Sequence, residues 1–295
     1  MESQSEIIKQ TLPKITIITS SYNHGSYIEE AILSVLSQGY PNLEYIVLDG
    51  ASKDNTVEIL KKYEGQLTWI SEPDKGQSDA TNKGFKMATG DIIGTLNSDD
   101  CFLPGALWHV SKNIDTEKAQ ILFGNCFRLY ENGFKSYGSD VVSSYDNFKI
   151  EEHDFMLHPS AFYTKKALNI MPPMNIENKY CPDWEFFINA KKNGVEFKPT
   201  NQYYSMFRLH ELHTSGMDNP KRYEQYLKIY KEYNPSFLPL AVYLLKRKKR
   251  LHKQRDFLYR IGLNRYEHLF LKALHPLLFK FQWRHVVNVL NLYGK

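Results

Sequence analysis

The stretch "IIGTLNSDDCFLPGAL", from Ile92, runs an apolar segment into Asn97-Ser98-Asp99-Asp100. Adjacent carboxylates repel each other, and burial raises that cost. Two explanations stand at this point. One is a divalent cation held by oxygen ligands with a phosphate on its far side. The other is a solvated loop in which an Asp caps a short helix, with Pro104 marking the start. Other residues pose similar choices. Asp49-Gly50 ends a greasy run and could simply form a turn. Asp183, in "PDWEFF", suits the first turn of a helix through the helix dipole. A histidine such as His210 or His158 could be a ligand or a packed structural group.

The elements that must carry these residues read clearly from the pattern. "KITIITS" (14–20) is apolar and rich in β-branched residues, as a buried strand is. A helix follows, with Ile28, Ile32, Val35 and Leu36 at helical spacing and Ser26 or Asn23 as its cap. Then come a strand at 43–52, a helix closed by Gly65, a strand "LTWISEPDKG", a helix ending near Gly90, and the strand "DIIGTLNSDD". Such alternation predicts an α/β fold, a mostly parallel Rossmann-like sheet with helices on its faces. Thr19 to Asn23, Asp49 to Asp54 and Asn97 to Asp100 then share the carboxyl ends of successive strands, where ligands bind in open α/β sheets. Beyond residue 110 the rhythm changes. "AQILFGNCFRLYENGFKSYG" predicts two strands joined at "ENG". "HPSAFYTKKAL" predicts a strand entering a short helix, "PDWEFFINAKKNG" a helix, and "EFKPTNQYYSMFRLH" another strand. From Pro220 the chain is mostly helical and increasingly basic.

Composition narrows the class. A chain of 295 residues, 42% hydrophobic and 24% charged, can bury a sizeable core as one large domain or two smaller ones. The net charge of +4, from 37 basic and 33 acidic residues, argues against nucleic acid as a partner. Cys101, Cys126 and Cys181 are too far apart for a CxxC pair and point to reduced thiols in a cytosolic setting. "MESQSEIIKQTLPK" has no signal-peptide core. The greasy stretch "FLPLAVYLL" spans nine residues, well short of the about 20 that cross a bilayer.

"KITIITSSYNHGSYIEEAILSVLSQGYPNLEYIVLDGASKDNTVEIL" resembles the opening of family-2 glycosyltransferases, inverting enzymes of the GT-A fold. "ISEPDKGQSDATNKGFKMATGDIIGTLNSDD" continues the likeness, which thins through "HPSAFYTKKAL", "PDWEFF" and "FRLH" to about residue 215. The resemblance implies a catalytic domain over 14–215, with a nucleotide-binding half at 14–110 and an acceptor-binding half at 111–215. A helical, basic region at 216–295 lies outside it. It implies a metal-dependent transferase that moves a sugar from a nucleotide diphosphate, a UDP-sugar, to a saccharide or lipid-linked acceptor. Bacterial surface polysaccharide or glycolipid synthesis is the expected setting.

Roles follow from the same resemblance. Thr19, Ser21 and Tyr22 would line the nucleoside pocket, and Asp49 would accept from the base N–H. Many members carry two acids where this chain has Asp49-Gly50. Asp74, Lys75 and Asn82 would flank the diphosphate. Asp99 would sit near ribose and metal, and Asp100 would bind Mn or Mg directly. Asp183 would be the base, with Glu185 as fallback. His210 would touch metal or phosphate, with His213 as competitor, and "ELHTSGMDNP" would be a lid. His158 would line the acceptor side or pack as a strand-edge histidine.

"YLLKRKKRLHKQRDFLYRIG" combines a greasy helix with eight cations. A solvated face and a basic helix on anionic lipid both fit, so peripheral attachment to the inner face of the cell membrane enters as an expectation. Two other functions compete. A sugar nucleotidyltransferase would need a glycine- and arginine-rich phosphate loop that "TSSYNHGSY" does not supply. An inactive relic would not need Asp99, Asp100 and Asp183. A dinucleotide dehydrogenase would need a GxGxxG after the first strand.

Overall fold

A computed structural model describes residues 11–130, 136–147, 149–210, 220–280 and Val286. Four strands build the amino-terminal half: β1 (Ile15–Ser21), β2 (Leu43–Asp49), β3 (Thr68–Ser71) and β4 (Ile92–Asn97). They alternate with helices α1 (Ile28–Leu36), α2 (Thr56–Lys62) and α3 (Gln77–Met87). All their pairings are parallel. The register sets Ser21 opposite Asp49, Asp49 opposite Ser71, and Ser20 opposite Asn97. The three polar clusters therefore do share one edge of the sheet.

The second half begins with the two-residue strand β5 (Cys101–Phe102) and helix α4 (Ala106–Asn113). β6 (Gln120–Tyr130), β7 (Ser136–Gly138) and helix α5 (Val141–Asn147) follow. Next come β8 (Ala161–Thr164), helices α6 (Lys165–Ile170) and α7 (Pro182–Lys192), and β9 (Glu196–Leu209). The strand order is β3-β2-β1-β4-β8-β6-β9-β5, with β7 on β6. β8 joins β4 and β6 antiparallel, whereas β9 runs parallel to β6. The "ENG" turn between β6 and β7 lies outside the described residues.

Both faces of the sheet are covered, which explains its near-continuous apolar strands. Ile15, Ile17, Val47, Ile92 and Leu96 pack with Ile28, Ile32 and Val35 of α1 and Leu107 and Val110 of α4. On the other face Ile18 and Ile93 meet Ala88, and Ile46 and Leu48 meet Ala80 of α3. α3 carries few large apolar residues because it lies so close to the sheet. A Cβ on its Gly84 would fall 2.4 Å from Ile18 Cγ2. The three cysteines are buried and unbridged.

Two cap expectations are corrected. Neither Asn23 nor Ser26 caps α1; Tyr27 holds the N-cap place, with no capping bond from its side chain. Nor do Asp99 and Asp100 cap the helix that begins within "FLPGAL", whose N-cap is Gly105 in a left-handed conformation. Tertiary bonds claim Asn23, Asp99 and Asp100 instead, as described below.

The chain divides into two compact units, one within residues 1–147 and 155–210, the other within 148–154 and 211–295. The second contains helices α8 (Pro220–Tyr233), α9 (Leu238–Arg260) and α10 (Glu267–Leu274). Among the described residues no helix is long and apolar enough to cross a membrane.

Candidate active site

Three loops meet at the carboxyl edge of β1, β2 and β4, and hydrogen bonds fasten them together. Asn23 adopts a left-handed conformation at φ 54°, and its amide N–H donates to Ser52 Oγ at 2.7 Å. Its side-chain oxygen accepts from Lys53 N at 2.8 Å. Asp54 accepts from Gly25 N at 2.8 Å and from the Thr56 hydroxyl at 2.6 Å. Burial would raise the Asp54 carboxyl, but these donors hold it below the usual carboxylate range. The loops are thus fixed before any ligand arrives.

At the carboxyl end of β2, Asp49 is 2% exposed. It accepts from the Ser71 hydroxyl at 2.6 Å, from Ser52 N at 3.0 Å and from the Ser52 hydroxyl. Next to it a side chain at Gly50 would meet Asp74 Oδ2 at 2.9 Å and the Tyr22 ring at 3.3 Å. Glycine leaves room here for the Asp74 carboxylate and the Tyr22 ring. Tyr22 is exposed, and the Ser21 hydroxyl is buried with no hydrogen-bond partner among the described residues. Asp74 accepts from Gly76 N at 2.7 Å. The Lys75 amide donates to Asp79 at 3.0 Å, and its carbonyl accepts from Lys179 Nζ. The Lys75 residue itself is exposed.

Two residues expected at the nucleotide belong to the frame. Thr19 is wholly buried, and its hydroxyl pairs with Tyr45 Oη at 3.1 Å. Asn82 uses both ends of its amide on the Met174 backbone, donating to its carbonyl and accepting from its N–H, each at 2.9 Å. It ties α3 to the segment before α7 and has little left for a phosphate.

The adjacent acids turn out to have unlike surroundings. Asp99 Oδ2 lies 3.0 Å from His210 Nε2. Together with His24 these residues offer one ligand atom each within 4.8 Å of one another. His24 Nδ1 is also 2.7 Å from Ser98 Oγ, and Tyr27 stacks on His210 at 4.9 Å. Asp100 is 1% exposed and faces the framework. It accepts from Arg208 N at 3.0 Å and from Asn97 Nδ2 at 3.2 Å. Burial, then the neighbouring Asp99 charge, push its carboxyl well above the usual range. Repulsion is relieved by moving one acid toward neutrality. The expectation that Asp100 is the direct ligand is therefore corrected: Asp99 faces the cluster, and Asp100 anchors β9.

Arg208 completes that anchor and was not singled out by the sequence. Its Nε donates to the Asp99 carbonyl at 3.2 Å, it pairs with Glu30 at 2.5 Å, and its guanidinium lies 5.3 Å from the Tyr27 ring centre. His24 was missed as well. Its position just past β1, level with the other polar clusters, was the available signal. His213 and the "ELHTSGMDNP" lid fall within or beside 211–219, outside the described residues.

In the second half of the sheet domain, Asp183 sits in the first turn of α7, half-buried, after Cys181 as N-cap. Glu185 accepts from Asn175 at 3.1 Å and Asn178 at 2.8 Å, which ties it to the preceding loop. His158 is 6% exposed and packs edge-on against Phe187, with ring centres 6.4 Å apart.

Residues 16–170 match the sequence family described as Glycosyl transferase family 2. The chain belongs to that family. This glycosyltransferase is 26% identical over 208 residues to the GalNAc(5)-diNAcBac-PP-undecaprenol beta-1,3-glucosyltransferase of Campylobacter jejuni, covering 68% of this chain and 65% of that one. It is 26% identical over 220 residues to a chondroitin synthase of Pasteurella multocida, covering 72% of this chain but 22% of the relative. It thus spans less than two thirds of either protein's length. Among solved structures, S. aureus TarS 1-349 in complex with UDP-GlcNAc superposes with a TM-score of 0.58 at 19% identity, over 95% of this chain and 90% of that one. The mannosyltransferase PcManGT from Pyrobaculum calidifontis, in complex with GDP-Man and Mn2+, gives 0.59 at 15%, over 97% and 87%. These likenesses identify the fold as GT-A, with a helical carboxyl-terminal part. Family membership removes the sugar nucleotidyltransferase alternative.

Proposed function

We propose that this glycosyltransferase is an inverting, metal-dependent enzyme that uses a UDP-sugar and acts on a saccharide or lipid-linked acceptor in bacterial surface polysaccharide or glycolipid synthesis. The observation that carries this is the grouping of His24, Asp99 and His210 beside the exposed Tyr22 and the unpartnered Ser21 hydroxyl. The UDP-GlcNAc complex of TarS and the undecaprenol-linked substrate named for the Campylobacter enzyme support the choice of donor and acceptor.

Ser21, Tyr22, Asp49, Asp74 and Lys75 surround the nucleotide in this scheme. Asp49 keeps a spare lone pair for a base N–H, since a carboxylate offers about four acceptor sites. His24, Asp99 and His210 fit a divalent cation. Their mixed nitrogen and oxygen donors favour Mn over Mg, which prefers oxygen. A bound Mn2+ would neutralise the diphosphate as it departs. Asp183 takes the acceptor hydroxyl proton while that oxygen attacks the anomeric carbon and the diphosphate leaves with its bonding pair. One displacement inverts the centre without a covalent intermediate. The catalytic domain is 14–215, with the nucleotide in 14–110 and the acceptor in 111–215.

A thermal-shift screen tests the donor. UDP and UDP-GlcNAc with Mn2+ are expected to raise Tm by about 5 °C at a concentration a hundred times Kd, and less without the metal. Stabilisation by GDP-mannose in place of both would overturn the UDP assignment.

Region 216–295 supplies a peripheral contact with anionic membrane on the cytoplasmic face. Lys246, Lys249, Arg250, Lys253, Phe257 and Arg260 recur at helical spacing along the exposed side of α9. Lys249, Arg250, Lys253, Gln254, Phe257 and Phe270 line a cavity of about 590 Å³. Phe257 is 54% exposed. Not all of the cations are available: Lys248 donates to Tyr223 Oη at 2.6 Å, and Arg255 pairs with Glu267 at 2.6 Å. Reversing Lys249, Arg250 and Lys253 to Glu is expected to weaken binding to phosphatidylserine vesicles by at least about 100-fold, taking about 1 kcal/mol per cation. Equal binding by the variant would remove the membrane role.

A further inference from the structure

Beside Asp183 lie two buried polar groups that the mechanism does not yet use. His158 Nε2 and Tyr163 Oη are each buried with no hydrogen-bond partner among the described residues. A native interior rarely leaves such groups unmatched, and ordered water is the usual remedy. Their place in the fold is specific. Asp183 and Phe187 are four residues apart on α7 and so share one helix face. His158 meets the Phe187 ring edge-on, and Tyr163 stacks on the same ring with centres 6.3 Å apart. Both rings thus pack on Phe187, one helical turn along α7 from Asp183.

Thr95 adds a third group to this layer. β4 and β8 pair Ile93 with Tyr163, and Thr95 follows two residues on, on the same side of the sheet. Its hydroxyl is also buried and unmatched among the described residues. Three hydroxyl or imidazole groups and a carboxylate are a suitable set for one or two enclosed waters.

We propose that His158 and Tyr163 are positioning residues that hold the Asp183 carboxylate through hydrogen bonds relayed by buried water. The inference rests on Asp183 being the base and says how its orientation is kept. Electrostatics agree. Burial pushes the His158 imidazole down and the Tyr163 phenol up, and the Asp183 charge is the second influence on both. His158 is then neutral, with one N–H to donate, and Tyr163 keeps its proton. Glu185, the other acid of this turn, is held away by Asn175 and Asn178. Donors directed at a carboxylate favour its ionised form, which is the form a base requires.

Carboxyl NMR of the full-length protein, labelled with 13C at aspartate, tests this without a substrate. The Asp183 resonance is assigned by its loss in Asp183→Asn. Tyr163→Phe and His158→Phe are each expected to raise the Asp183 titration midpoint by about one pH unit, the worth of a hydrogen bond to a charged group. His158→Gln keeps an N–H and is expected to shift it less. Tyr163→Phe removes a single oxygen, so the fold is retained even where the histidine variants are unstable. An Asp183 midpoint unmoved in folded Tyr163→Phe and His158→Phe overturns the positioning role. Transfer activity of Asp183→Asn judges the base assignment separately: with that variant inactive and the midpoints unmoved, the positioning alone fails.

Discussion

Asp183→Asn is expected to bind donor as the wild type does and to transfer sugar about 10³-fold more slowly, within the range of general-base contributions. The substitution keeps the size of the side chain and removes its basicity. It costs little structurally. Asp183 heads α7, where a negative charge gains about 0.3–1 kcal/mol from the helix dipole, and Asn in the first turn retains an oxygen acceptor. Donor contacts should not change, because the candidate nucleotide residues Ser21, Tyr22, Asp49 and Asp74 come from other loops. The check is therefore a pair of measurements: the thermal shift with UDP-sugar and Mn2+, and the rate of UDP release in the presence of acceptor. An unchanged shift with a collapsed rate is the expected result. A variant that still transfers at near wild-type rate sends the search to another acid. Glu185 would be a poor second choice, since Asn175 and Asn178 already occupy its oxygens.

Much of this arrangement was legible because strands advertise themselves. β-branched runs such as "KITIITS" and "LEYIVLD" pack on both faces and carry few polar residues until they end. The register that sets Ser21, Asp49 and Ser71 level follows from parallel pairing of those runs. What could not be read was the direction of individual side chains. Asn82 looked like a phosphate partner because it lies near Asp74 and Lys75. Its actual partner, Met174, is 92 residues away. Thr19 stood at a strand end with other hydroxyls, but the pleat turned it inward to Tyr45. His24 carried no pattern of its own and gained meaning only when His210, at the end of a strand formed late in the chain, arrived beside Asp99. Helix caps failed for a related reason. Asn23 binds the neighbouring loop across the sheet edge through Ser52 and Lys53, and those tertiary bonds replaced the local one that short-range rules anticipate.

The adjacent acids provide the sharpest discrimination. Asp99→Asn is expected to abolish the Mn2+-dependent part of UDP stabilisation and to lower transfer on the order of 10³-fold, the upper range for removing one electrostatic contact to a developing negative charge. Asp100→Asn is expected to keep the Mn2+ effect and to lose less than about tenfold in rate. The difference follows from geometry. Asp99 shares its cluster with His24 and His210, whereas Asp100 accepts from the Arg208 amide and Asn97. An Asn at position 100 can still accept from the Arg208 amide through its side-chain oxygen. Burial and the neighbouring Asp99 charge push the Asp100 carboxyl upward in any case. At position 99 the same change removes the one carboxylate of the three-residue cluster and leaves two imidazoles, a weak site for a hard cation. Mn2+ titrations followed by thermal shift, with and without UDP, separate the cases. Should Asp100→Asn lose the metal response while Asp99→Asn keeps it, the two acids exchange roles and the histidine cluster loses its claim to the cation.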